Sequence, residues 1–366
     1  MRKNVNDTYY GMTLINDDPG CPGWKKSNTF LENNSNVKII NGEDADVIQL
    51  WPIKHKFAWD AYLTGNANHW LPTEIPMQSD IEQWRSDKVL TDDERHAFRT
   101  VLGFFTTADS IAANNLVLAF YKHITSPEVR MYLLRQSFEE AIHTHAYQYI
   151  VESLALDGTE IFNMYREVDA IYNKDEFVLS FNEGIMQDGF HTGNFENDQK
   201  FLENMCVFSL ILEGIFFYSS FAVMFGFQRQ KKLVGSAEQI QYIMRDESIH
   251  MNFGIDMINT IKEEQPELWS EEFQERIRGL VKKAAKLEYT FAQEVFPKGI
   301  FGMNADGFRQ YIEYIADRRL ERVGLAPLFG SANPFPWMSE AVDLSKEKNF
   351  FETRVTEYKT GGSLNW

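Results

Sequence analysis

The sequence predicts an all-α helical bundle, and three observations carry that expectation. Apolar residues recur at three- and four-residue spacing from near Phe57 to about residue 323, with no parallel-sheet or hairpin pattern competing. Two of the expected helices carry the same spacing of a carboxylate and an imidazole, Glu140-Ala141-Ile142-His143 and Glu247-Ser248-Ile249-His250. Two further helices, apolar almost throughout, each hold one acid where a core residue belongs: Asp109 and Glu213.

Taken in order, residues 1 to 47 are rich in Asn, Asp and Gly without a sustained period and read as an N-terminal arm. Helical character then begins near Phe57. The segment Asn68-His69-Trp70-Leu71-Pro72-Thr73-Glu74-Ile75-Pro76 carries two prolines and reads as a loop in which Trp70 is a packing residue. Thr91-Asp92-Asp93-Glu94 has capping-box spacing and opens a helix expected to run to about Tyr121. Ser126-Pro127 starts the next, with Gly158 as its expected stop. Residues 160–197 mix short helical stretches with Gly and Asn and resist placement. The apolar helix of Glu213 follows, then one capped by Ser236-Ala237-Glu238-Gln239, then two amphipathic helices over about 270–296 and 305–323. From residue 338 the chain turns charged and polar and reads as a tail, either disordered or a docking peptide.

Composition narrows the function classes. With 366 residues, 44% hydrophobic and 29 Phe, the chain can bury a large core. A net charge of -17 argues against a general nucleic-acid binder. Two cysteines, Cys21 and Cys206, exclude a disulfide framework and a thiolate cluster, and the N-terminus lacks the apolar run of a signal peptide, so a cytoplasmic location is expected. The apolar run from Phe208 to Phe227 contains Glu213 and reads as a bundle centre, not a membrane span.

On a helix, residues three, four and seven apart share a face, so Glu140, His143 and Tyr147 form one inward stripe. Isolated acids in apolar helices are costly unless paired or metal-bound. One acid from each of two helices, with Glu-x-x-His from two others, matches the ferritin-like di-metal carboxylate template. Such a donor set suits Fe or Mn. A phenol on that stripe is the nearest group two such ions could oxidise with O2, and Phe217, Phe221 and Ile243 could keep a phenoxyl radical there dry, or equally pack an ordinary core. Asp246 points about 100° away from Glu247 and is expected either to hold His143 from outside or to pair with Arg245.

These residues resemble the radical-generating small subunit of class I ribonucleotide reductase. The likeness runs from about Val47 to Trp366 and rests on Asn68 to Met77, Glu139 to His145, Leu212 to Phe217 and Arg245 to His250. It implies that Asp109, Glu140 and His143 hold one metal ion and Glu213, Glu247 and His250 the other. It implies a radical at Tyr147, a transfer relay through Trp70, Asp246 and Tyr358, and a C-terminal tail that docks on the large subunit. The surrounding motifs look most like a branch with Phe at the radical position, Glu at the first ligand and a manganese–iron pair. Here those positions are Tyr147 and Asp109, so the expected cofactor is Fe/Fe, with Mn/Fe and Mn/Mn left open. The domain division expected is an arm (1–47), a ferritin-like domain (48–337) and a tail (338–366). The protein is expected to be a homodimer, with neither nucleic acid nor membrane as a partner. A stand-alone di-metal oxidase, needing no tail, is the alternative.

Overall fold

The computed structural model describes residues 37–42 and 50–338; Cys21, Tyr358 and the tail expected after residue 338 lie outside them. Eleven α-helices are present among the described residues: α1 (Lys56–Ala67), α2 (Gln78–Trp84), α3 (Asp92–Asn114), α4 (Pro127–Ser153), α5 (Gly158–Glu167), α6 (Asp169–Met186), α7 (Phe195–Cys206), α8 (Phe217–Arg229), α9 (Val234–Glu264), α10 (Glu271–Val295) and α11 (Ala305–Arg322). Extended pairing is confined there to two isolated bridges, Ile40 with Ile124 and Ile300 with Met303. The fold is the expected all-α, ferritin-like bundle.

Local chemistry explains most helix starts. Thr91 caps α3 through its hydroxyl, and the Glu94 side chain reaches back to the Thr91 amide, closing the capping box. Ser126 caps α4, with Pro127 at the first helical position. Two expectations shift. Gly158 is not the stop of α4, which ends at Ser153; it opens α5, because Asp157 accepts the amides of Thr159 and Glu160. Ser236 does not cap α9, which begins at Val234. Asp80 of α2 supplies that cap, accepting from the amides of Gly235 and Ser236.

The 160–197 stretch resolves into α5, α6 and the start of α7. Ile39 and Ile40, within the expected arm, are fully buried, and the Ile39 amide donates to Glu264. The bundle therefore takes in chain that the composition assigned to the arm.

Two π-helical segments interrupt the regular spacing, Asn115–Phe120 after α3 and Val207–Phe216 before α8. The second carries Glu213, and its apolar stretch lies wholly inside the protein, as expected of a bundle centre. A π-turn widens the helix and frees a carbonyl, a device concentrated at functional sites. Here Arg319 of α11 donates to the Gly214 carbonyl at 2.9 Å, one residue from the acid.

Candidate metal centre

Helices α3, α4 and α9 and the π-helical segment before α8 bring six side chains to one point. Asp109, Glu140, Glu213, Glu247, His143 and His250 are all fully buried. They form two overlapping groups whose ligand atoms lie within 4.8 Å of one another: Asp109, Glu140, His143 and Glu247, and Glu140, Glu213, Glu247 and His250. Glu140 and Glu247 belong to both, which makes them the carboxylates able to bridge two ions.

The hydrogen-bond accounting tests whether these residues fit metal. Both oxygens of Asp109, Glu140 and Glu247, one of Glu213, and Nδ1 of each histidine have no hydrogen-bond partner. Buried carboxylates left unpaired cost several kcal/mol each, roughly, so a cluster of four calls for cations. Oxygen donors with two imidazoles suit Fe or Mn. The fit is good.

Both imidazoles point Nδ1 inward. His143 Nδ1 lies 3.2 Å from Glu247 and 3.5 Å from Glu140, and His250 Nδ1 lies 3.2 Å from Glu140 and 3.4 Å from Glu247. Burial, reinforced by the neighbouring Glu140, drives Asp109 well above the usual carboxylate range; burial and Glu247 do the same to Glu213. Gln136 steadies Glu213 with a 2.9 Å hydrogen bond to its other oxygen.

Asp246 reaches His143 as expected, Oδ2 to Nε2 at 3.4 Å, and the same oxygen accepts from Trp70 Nε1 at 2.8 Å. It also pairs with Arg245 at 3.1 Å, but the pair is buried, so the alternative of a helix-surface acid paired with Arg245 fails on its surface part. His143, Arg245 and Trp70 outweigh burial and hold Asp246 below the ordinary range. Trp70 is 2% exposed and stacks on Tyr242 at 5.2 Å.

Tyr147 is fully buried, and burial together with the Asp109 carboxylate pushes its phenol well above its ordinary pKa. Its nearest ring neighbour is Phe105 of α3, stacked parallel at 5.5 Å. Phe105 was not singled out in the sequence. Phe221 and Phe217 pack on that same ring at 5.4 and 5.9 Å. Ile243 is buried one helical turn before Glu247.

Residues 47–334 match the family model "Ribonucleotide reductase, small chain". The chain is 54% identical over 328 residues to the ribonucleoside-diphosphate reductase subunit beta of Chlamydia pneumoniae, covering 90% of this chain and 94% of that one. It is 31% identical to the small chain from Plasmodium falciparum isolate Dd2, covering 90% and 88%. The ribonucleotide reductase R2 subunit of Clostridium botulinum superposes with a TM-score of 0.75 at 29% identity, covering 83% of this chain and 94% of that one. The chain belongs to the ribonucleotide reductase small-chain family.

Proposed function

We propose that this protein is the radical-generating small subunit of a ribonucleoside-diphosphate reductase and stores its oxidising equivalent at Tyr147. The observation that carries the reading is six convergent metal-ligand side chains beside a buried phenol that faces Asp109. Asp109, Glu140 and His143 would hold one ion and Glu213, Glu247 and His250 the other, with Glu140 and Glu247 shared. Bound there, a redox-active pair supplies O2 binding and oxidising power that the polypeptide lacks.

What the chain itself does follows from its side chains. Tyr147 is the oxidisable group: giving one electron to the oxidant such a pair would supply, and its phenolic proton to the facing Asp109 carboxylate, would leave a neutral radical that needs no counter-charge. Phe105, Phe217 and Phe221, with Ile243 nearby, keep water from it. Trp70 passes the hole outward; its indole N–H is held by Asp246, so the proton has a fixed acceptor when the ring is oxidised. Tyr358 carries the hole onward, and the tail after residue 338 docks on the large subunit, where ribonucleotides are reduced. The protein works as a cytoplasmic homodimer. Tyr147 and Asp109 favour an Fe/Fe pair over Mn/Fe or Mn/Mn.

Aerobic iron loading should give a phenoxyl EPR signal in the native chain and none in Tyr147→Phe, with metal content unchanged. A signal that survives the substitution places the radical elsewhere. Anomalous scattering at the Fe and Mn edges identifies the ions.

A further inference from the structure

Each Glu-x-x-His is preceded by a second acid: Glu139 before Glu140 on α4, and Asp246 before Glu247 on α9. The ligand acids face the cluster. The preceding acids cross to the opposite helix's histidine, Asp246 to His143 Nε2 and Glu139 to His250 Nε2, the latter at 2.8 Å. Asp246 has a place in the relay proposed above; nothing in that scheme accounts for Glu139.

We propose that Glu139 is a positioning residue for the second half of the centre, holding His250 with Nδ1 turned toward Glu140 and Glu247, and that Arg135 and Gly65 hold Glu139 in turn. The proposal rests on reading the six clustered side chains as metal ligands. Glu139 is fully buried, and both its oxygens are engaged: Oε2 with His250 and Oε1 with Arg135 Nε at 3.0 Å. With Arg135 donating to one oxygen of Glu139, the other is left to accept, so His250 Nε2 carries the hydrogen and its Nδ1 lone pair is left for a cation.

The support behind Glu139 is equally close. Arg135 also donates to the Gly65 carbonyl in the last turn of α1, at 2.8 Å. A β-carbon on Gly65 would stand 2.8 Å from Glu139 Oε1 and 3.2 Å from Arg135 Cγ, so only glycine leaves room. Arg245 repeats the arrangement on the other side, bonding the Asn68 carbonyl just past α1 and the Asp246 carboxylate. The two halves diverge at their outer ends. Asp246 accepts from an indole as well as from the Arg245 guanidinium, whereas the second oxygen of Glu139 accepts from a guanidinium, a fixed charge with no oxidisable ring. That confines Glu139 to orienting His250.

The test uses the full chain, stripped of metal and titrated with cobalt(II), whose paramagnetism shifts the proton signals of bound imidazoles. The native chain should bind two ions and show two shifted, slowly exchanging imidazole N–H signals. In E139L the weaker ion should lose about 10- to 100-fold in affinity. One N–H signal should vanish or exchange faster while the other stays in place. E139Q, which keeps the size and an acceptor oxygen, should fall between, and it decides alone if E139L does not fold. A mere brace between α1 and α4 would disturb both signals equally or neither affinity, and either result overturns the proposal. A native chain that binds fewer than two ions overturns the ligand reading itself, and the proposal with it.

Discussion

Two groups of buried carboxylates lie in this bundle, and they are neutralised differently. At the metal centre, four acids meet two imidazoles and most of their oxygens have no hydrogen-bond donor. In the second group, between α6 and α10, Glu288 pairs with the fully buried Lys174 at 2.7 Å and also accepts from the Ser219 hydroxyl. The Lys174 ammonium sits in a box of phenyl rings, 3.4 Å from the centroid of Phe104, 3.9 Å from Phe291 and 4.7 Å from Phe216. Ring faces attract a desolvated cation and supply what water would have supplied. One cluster carries its own counter-ion; the other is shaped to take counter-ions from solution. Unsatisfied acids thus mark a site only when no internal cation answers them.

The largest expected effect separates these two solutions. Lys174→Met leaves Glu288 buried without its cation and should destabilise the protein by about 3–5 kcal/mol in denaturant melts. Adding Glu288→Gln should recover most of that loss; failure to recover would mean the lysine acts mainly through its ring contacts. Site by site, a smaller effect is expected at the metal centre. Iron or manganese(II) at 100 times its dissociation constant should stabilise the native chain by about 2.7 kcal/mol for each site filled, read as a thermal shift that a chelator reverses. His250→Ala should shrink that shift, and an equal shift in the variant would mean that His250 is not a ligand.

The smallest effect concerns Asp175, beside Lys174. Burial pushes its carboxyl up to about 7, only partly offset by Lys174. A carboxyl raised in the folded state binds more protons folded than unfolded, so its contribution to stability falls as pH rises from about 4 to 7. The slope cannot exceed about 1.4 kcal/mol per pH unit for one group. Asp175→Asn should flatten stability across that window relative to the native chain. An unchanged profile would show that Asp175 titrates in its ordinary range.

The difference between the clusters also measures how much the sequence discloses. The six clustered side chains were legible because each lies on a helix whose periodicity tells which way a side chain faces, and because an acid in an apolar stripe is conspicuous. Asp246 was legible for the same reason. Glu139 carries the same sign, an acid immediately before Glu-x-x-His, and like Asp246 it finds its histidine on the other helix; only the packing of α4 against α9 shows that pairing. Phe105 went unremarked among 29 phenylalanines, since only the packing of α3 on α4 makes it the ring against Tyr147. Lys174 lay in the stretch that resisted placement, and no local rule joins it to Glu288.

By itself the sequence determined what is encoded within a few turns of helix: the all-α class, the starts of α3 and α4, the two Glu-x-x-His stripes and the two lone acids. These depend on backbone periodicity and on side chains bonding their own neighbours, interactions that need no fold. Only the tertiary structure decided which acids belong to both ligand groups, which reach across to a histidine, and which are answered by a lysine. It also decided the start of α9, whose cap is the distant Asp80. Each of those outcomes depends on atoms a few ångströms apart that belong to separate helices, and their separation is set by how the whole bundle packs.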